Sequence, residues 1–130
     1  MVSEIRTLCD GISEIEDLTV IRSFWLAEKK DWDLPAAVID YDRPIRSDGA
    51  ESGLDFEDGH SFLLTLAVKR EVKKDPFETL EELEEKIKLV EAKLEEKFPG
   101  ASISFRETDI SDITFGKQNA LAFTCILEIV

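Results

Sequence analysis

The residues that could do nucleophilic or acid-base chemistry are few and lie far apart in the sequence. The single histidine, His60, stands at the start of a predicted strand, and the two cysteines, Cys9 and Cys125, have apolar neighbours. A serine or cysteine nucleophile needs an adjacent base, and no nucleophile-elbow motif occurs near either cysteine. We therefore predict that the protein is not an enzyme and that both cysteines are reduced thiols in the core.

A group of acidic residues before His60 is the nearest approach to a metal site. Loop carboxylates bind hard cations, but the spacing matches no EF-hand loop, and Leu54 and Phe56 interrupt it. The glycines form no GxxxxGK[ST] or GxGxxG run that joins a strand to a helix. We predict no metal and no cofactor, although carboxylates distant in sequence could still meet in the fold. The acidic residues are Asp48, Glu51, Asp55, Glu57 and Asp58.

The charge balance argues against nucleic acids and membranes as partners. The chain of 130 residues has 16 Lys and Arg against 29 Asp and Glu, a formal net charge of -13. Such a charge repels phosphate backbones and anionic membrane surfaces. No signal peptide is visible, and no window approaches the roughly 18 uninterrupted apolar residues of a membrane span. We expect a protein in the cytoplasm of the producing cell, with no specific nucleic-acid binding and no membrane binding.

Hydrophobic periodicity predicts one α+β domain over residues 1–130, with the element order α-β-β-β-α-β-β. Its strongest local signal is Asp75-Pro76-Phe77-Glu78, an N-cap followed by proline and glutamate at the start of a long helix that ends near Phe98. We expect a mostly antiparallel sheet with this helix packed on one face. The other predicted elements are a helix over 3–14 and strands over 18–25, 34–41, 60–72, 101–107 and 119–130.

The segment 42–59 is predicted to be a long flexible loop, because it has three glycines, Pro44 and little periodicity. A second loop is predicted over 108–118. Aromatic and other apolar residues in loops are candidate interface anchors, although they equally often cap the edge of the core. Together with nearby charged residues they form our candidate interaction set. The set is Trp25, Trp32, Arg43, Ile45, Arg46, Asp48, Glu51, Asp55, Phe56 and Phe115.

The order of elements and their apolar pattern also suggest a family. A short N-terminal helix precedes the strand Leu34–Ile39, a long polar loop, the strand His60–Val68, a helix and a terminal strand that ends at Leu127-Glu128-Ile129-Val130. This arrangement resembles the tail terminator proteins, also called minor tail or head-tail completion proteins, of long-tailed bacteriophages and prophages. The resemblance covers nearly the whole chain and is one of architecture.

The resemblance implies a structural protein of virion assembly that forms a ring, commonly a hexamer. The ring would cap the growing tail tube and present a surface for head attachment, so the protein would end up in the virion tail. Its partners would be other copies of itself, the tail tube protein and head-tail connector proteins. A ring subunit needs two different patches, because each interface in a closed ring is heterologous. The loop from Arg43 to Asp58 is the best candidate for contact with the tube or a neighbour.

Two other functions remain open from the sequence. A small ferredoxin-like regulatory or ligand-binding domain would also combine strands with helices on one face, and would form a dimer with a pocket. An acidic DNA mimic that inhibits a nuclease or regulator would use the negative charge itself. Mimicry needs charges spaced like phosphates, whereas acids on the long helix stand four residues from lysines, as in Glu82 with Lys86 and Glu84 with Lys88.

Overall fold

Two helices and five strands occur in the predicted order α-β-β-β-α-β-β, which confirms the α+β class. The computed structural model of the chain describes residues 2–23, 27, 32–47, 56–115 and 117–130. The elements are α1 (Val2–Ser13), β1 (Thr19–Ile21), β2 (Ala36–Ser47), β3 (Phe56–Lys69), α2 (Pro76–Lys97), β4 (Ile103–Phe115) and β5 (Gln118–Ile129).

The strands form one sheet in the order β1-β2-β3-β5-β4, with β3 and β5 in its inner positions. Only β1 and β2 run parallel, and every other neighbouring pair is antiparallel. The two strands joined by α2, β3 and β4, are parallel to each other with β5 between them, which is a split β-α-β arrangement. The long apolar strand of the sequence, β3, therefore has ladder partners at both of its edges from His60 to Ala67.

Both helices pack on one face of the sheet and bury its large side chains. The Asp75 carboxylate accepts a hydrogen bond from the Phe77 amide at 3.0 Å, so the predicted N-cap starts α2 at Pro76. This helix buries Leu83, Val90 and Leu94 and exposes a charged outer face. No helix in the described part of the chain is long and apolar enough to span a membrane. The sheet contributes Ala37, Ile39, Phe62, Leu64, Leu66, Val68, Leu121, Phe123, Cys125, Leu127 and Ile129 to this core.

The opposite face of the sheet carries a second, smaller core made mainly of alanines. Trp32, Leu34 and Ile113 pack around it, and Ala27 from the β1–β2 connection is buried in it. The cluster covers only part of this face. Its buried sheet residues are Ile21, Ala36, Val38, Ala67, Ala120 and Ala122.

Strands occupy both ends of the predicted 42–59 loop. The β2–β3 ladder continues to the pair Ser47–Phe56, with register shifts between Tyr41 and Arg43 and between Ile45 and Arg46. Each shift reverses the alternation, so the sequence pattern looks irregular. Proline at position 44 is tolerated because β1 pairs with β2 only along Ala36–Val38, which leaves the outer edge of β2 beyond that point without a ladder partner among the described residues. The remainder, 48–55, lies outside the described residues.

The prediction of a loop over 108–118 is wrong, because β4 runs to Phe115 and β5 begins at Gln118. A bulge between Arg106 and Asp109, with Glu107 at a φ of 51°, interrupts the alternation. As the last strand of the sheet, β4 also exposes polar side chains on both faces. The predicted strand 18–25 is shorter than expected, since β1 ends at Ile21, and residues 24–26 lie outside the described part.

Thr79 in α2 gives a test of the core. Its side chain is 0% exposed, and its hydroxyl has no hydrogen-bond partner among the described residues. We predict that Thr79→Val raises the free energy of unfolding by about 1 kcal/mol, because valine keeps the shape and removes an unsatisfied polar group. Alanine lacks both methyl groups of valine, so Thr79→Ala should be about 2 kcal/mol less stable than Thr79→Val. Urea denaturation measures both, and a destabilised Thr79→Val would contradict the prediction.

Candidate interaction surfaces

The candidate interaction residues divide between the described and the undescribed parts of the chain. Trp25, Asp48, Glu51 and Asp55 lie outside the described residues. Trp32 is half-buried against the alanine cluster, and its carbonyl oxygen accepts a hydrogen bond from the Gln118 side chain at 2.8 Å. Trp32 therefore caps the edge of the core, which is the other role that loop aromatics were expected to have.

Four of the remaining candidates, Arg43, Ile45, Arg46 and Phe56, lie in one projecting structure, which we call the hairpin arm (residues 42–47 and 56–59). The ladder between β3 and β5 begins at His60, so the arm extends past the end of β5 as a two-stranded ribbon. The structure thus brings these four candidates together on a β-hairpin.

Gly59 fixes the place where the arm leaves the sheet. A Cβ atom added there would stand 2.3 Å from the Ile129 carbonyl oxygen and 2.8 Å from the Val130 Cα. Real Cβ atoms do not approach backbone atoms this closely, and neither neighbour is a flexible side chain. Only glycine therefore lets β3 pass the end of β5 at this distance.

The base of the arm is held by polar and aromatic contacts. The Tyr41 hydroxyl and His60 Nδ1 are 3.2 Å apart, and the Tyr41 ring meets the Phe62 ring edge-on at a centroid distance of 5.6 Å. The Ser61 hydroxyl, almost fully buried, donates to the Asp42 carboxylate at 3.0 Å. Consecutive strand residues point to opposite faces, so His60 does not serve Ser61 as a general base. The constellation positions the arm and is not a catalytic triad.

On the arm itself, the side chains that reach solvent include Arg43. Its side chain is 75% exposed, and its Nε lies 3.8 Å from the Asp42 carboxylate. Ile45 is half-buried and pairs with Gly59 across the ladder. The backbone of Arg46 pairs with Glu57. The outer strand of the arm therefore combines an exposed positive charge with an apolar side chain.

Phe115, the last candidate, lies at the end of β4, where its backbone pairs with Gln118. No described strand pairs with the far side of β4, so this strand forms the second free edge of the sheet. Two of its charged residues have ion-pair partners, since Arg106 contacts Glu128 and Asp112 lies 2.9 Å from Arg70. The candidates therefore fall at opposite ends of the sheet.

A surface that the sequence analysis missed is the uncovered part of the second sheet face. Beyond the alanine cluster, Leu63 is 44% exposed, and a depression of about 340 Å³ lies among Leu63, Thr65, Thr124, Ile126 and Glu107. The signal was present in β3, where Leu63 is apolar on the face opposite Phe62 and Leu64. Alternation alone does not reveal which part of a face lacks cover.

Comparison with protein-family models and with curated proteins finds no match. The likeness to tail terminators therefore remains one of element order. Among the described residues no group of three or more His, Cys, Asp or Glu side chains could hold a metal ion.

The two cysteines are buried free thiols, which supports their assignment to the core. Burial raises the pKa of Cys125 to about 12 and also raises the pKa of Cys9, which the nearby Arg22 partly offsets. A thiol with a pKa this high is almost wholly protonated near neutral pH. Neither side chain is therefore suited to act as a nucleophile.

The same burial makes stability depend on alkaline pH. Above about pH 9, the ordinary cysteine pKa, the unfolded thiol loses its proton while folded Cys125 keeps it up to about pH 12. The unfolded state is then favoured, so the free energy of unfolding should fall by up to about 1.4 kcal/mol per pH unit for this thiol. Urea denaturation from about pH 8, below this window, to about pH 10.5, inside it, measures the slope. The Cys125→Ala variant should show a shallower slope, and identical slopes would contradict the prediction.

Proposed function

We propose that this chain is a virion assembly protein of the tail-terminator type, which forms a ring on the end of a phage tail tube and joins the tube to the head. The proposal starts from the resemblance in element order, which the observed order of helices and strands matches. The observation that carries it is the hairpin arm, which coincides with the segment assigned to tube or neighbour contact.

The arm has the properties of a contact element. A two-stranded ribbon is marginally stable by itself in water, and residues 56–59 have β2 as their single ladder partner in the described chain. Its base, by contrast, is fixed by Gly59, by the Ser61–Asp42 hydrogen bond and by the Tyr41 contacts. A rigid base beneath a projecting ribbon favours binding to a second protein, which would supply the contacts that the ribbon lacks.

The two ends of the sheet supply the unlike surfaces that a ring requires. A closed ring of identical subunits is built from heterologous contacts, in which one patch meets a different patch of the next copy. One side of the sheet ends in the three-residue β1 beside β2, which carries the arm, and the other side ends in β4. The net charge of -13 per chain would also make the ring strongly acidic, so that DNA could pass through without adhering. No step of this function needs a catalytic residue.

The first test is assembly of the purified chain. We expect sedimentation velocity to show a discrete species several times heavier than the monomer as concentration rises, and negative-stain images to show rings. Growth of tubes from the tail tube protein of the same phage or prophage should stop when the chain is added. A chain that remains a monomer or dimer at every concentration, with or without tube protein, would contradict the proposal and favour a regulatory domain.

A matched variant separates ring formation from tube binding. Replacing residues 46–58 with Asn-Gly closes the hairpin after the Ile45–Gly59 pair with a favoured two-residue turn. We expect this variant to form rings but to leave tube growth unrestricted, because it lacks the outer part of the arm. If this variant still halts tube growth, the outer part of the arm does not contact the tube.

Charge reversal on α2 tests the DNA-mimic alternative. Glu81 and Glu85 are exposed, so the double change Glu81→Lys with Glu85→Lys should leave the fold and ring assembly nearly intact. It should abolish nuclease inhibition by a mimic, because it reverses two charges on one exposed helix face. Sedimentation and a nuclease assay measure the two outcomes. Inhibition that the double change abolishes would favour the mimic over our assignment, whereas inhibition that the change leaves unaffected would remove the mimic.

A further inference from the structure

We infer that neighbouring copies in the ring join head to tail, with an exposed apolar turn of one copy seated in a depression on the sheet of the next. The first patch, which we call the turn segment, is residues 69–77, from the end of β3 to the first residues of α2. The second, which we call the sheet depression, lies around Leu63 and Ile126. The inference rests on the proposed ring and names its interface.

The turn segment carries the two most exposed large apolar side chains in the described part of the chain. Val72 is fully exposed, and Phe77 is 74% exposed. The segment has four Lys or Arg against two Asp or Glu, in a chain where acids outnumber bases 29 to 16. Lys69 and Lys73 are exposed and have no ion pair among the described residues. An exposed aromatic residue beside unpaired positive charges suits a contact with an apolar, acidic surface.

The sheet depression is such a surface. Its volume of about 340 Å³ exceeds that of a phenylalanine side chain, and Leu63 and Ile126 contribute apolar surface to it. On the side of β4, Glu107 lines the depression. Asp109 pairs with Thr124 across the β4–β5 ladder, so its side chain lies on the same face. Both acids are exposed and have no ion pair among the described residues.

Charge complementarity identifies a second copy of the chain as the occupant. Two turn segments in contact would bring lysines together, and two depressions would bring acids together, so pairing of like patches is disfavoured. Pairing of unlike patches places Phe77 against Leu63 and sets the lysines beside the acidic rim. A contact between different patches of identical chains is heterologous, which is the kind of contact that a closed ring requires.

Both patches of one copy can be occupied at the same time. Thr65 in the depression and Lys69 at the start of the turn segment are separated by about 13 Å of extended strand. The turn segment follows the last residue of β3, whereas the hairpin arm contains the first residues of this strand. Each copy can therefore bind one neighbour through its turn segment and another through its depression, and the arm stays free for the tube.

The first test removes the apolar part of each patch. We expect the turn variant, Val72→Asp with Phe77→Asp, and the depression variant, Leu63→Arg, each to raise the chain concentration needed for half-maximal ring formation by about tenfold or more. Leu89 in α2 is 40% exposed and belongs to neither patch. Leu89→Asp and Leu89→Arg therefore serve as matched controls and should assemble normally.

Mixing the two variants tests whether the patches bind each other. The turn variant keeps an intact depression, and the depression variant keeps an intact turn segment, so an equimolar mixture retains one working contact. We expect sedimentation velocity to show a heterodimer and no rings, at concentrations where neither variant associates alone. Circular dichroism with thermal unfolding checks each fold. If Leu63→Arg unfolds the chain, the exposed rim pair Glu107→Lys with Asp109→Lys replaces it as the depression variant.

The outcomes separate this interface from the proposed ring. If the wild type forms rings and the turn and depression variants assemble normally, the interface is overturned while the ring stands. A mixture that remains monomeric, when both variants are folded and fail to assemble alone, overturns the pairing of these two patches. If the wild type never forms rings, the proposed function fails and the interface fails with it.

Discussion

The antiparallel ladder between β3 and β5 is the constraint on which the rest of the structure depends. Its register, from His60–Ile129 to Lys69–Ala120, sends large apolar side chains to the face covered by the helices and alanines to the opposite face. A slip of one residue would exchange the two sets. Leu64 and Leu66 would then lie on the alanine face, and Ala67 would lie under the helices. The different sizes of the side chains on the two faces therefore fix the register of the whole sheet.

The unequal reach of the strands around this ladder creates the surfaces available for binding. Because β3 begins four residues before its pairing with β5, the β2–β3 hairpin continues as an arm, and Gly59 permits the close passage. Because β1 has only three residues, its ladder with β2 is limited to Ala36–Val38. At the other end of the sheet, β4 has β5 as its one ladder partner among the described strands. The arm is thus a place where two strands extend beyond their neighbour, and β4 is the last described strand of the sheet.

The sequence predicted the helices and strands correctly where local capping and periodicity signals agreed with the burial of side chains in the fold. The Asp75 cap, the single apolar stripe of α2 and the two-sided apolar pattern of β3 led directly to the right elements and to the right element order. It failed at 42–47, 56–59 and 108–115, where bulges reverse the alternation and one face is solvated, so that edge strands look like loops. Extending these strands depends on partners distant in sequence, such as Arg46 with Glu57, which periodicity does not reveal.

The candidate contact residues show the same division. Choosing charged and apolar residues from supposed loops did bring Arg43, Ile45, Arg46 and Phe56 together, because all four lie in the two strands of the hairpin arm. The same choice also selected Trp32, which packs against the alanine cluster at the edge of the core. The position of β4 at the end of the sheet was also not predicted, because an edge is a property of strand order. Strand order follows from the packing of the complete chain.

The acidic surface and the free edges have opposing effects on self-association. Exposed strand edges favour pairing between copies, whereas chains with a net charge of -13 repel one another. Repulsion of this kind weakens chance encounters in solution, while main-chain pairing acts only at contact. In the proposed ring, a tube end that holds several copies through their arms would overcome the repulsion by raising their local concentration. Assembly would then be favoured at the tube end, which is where a terminator has to act.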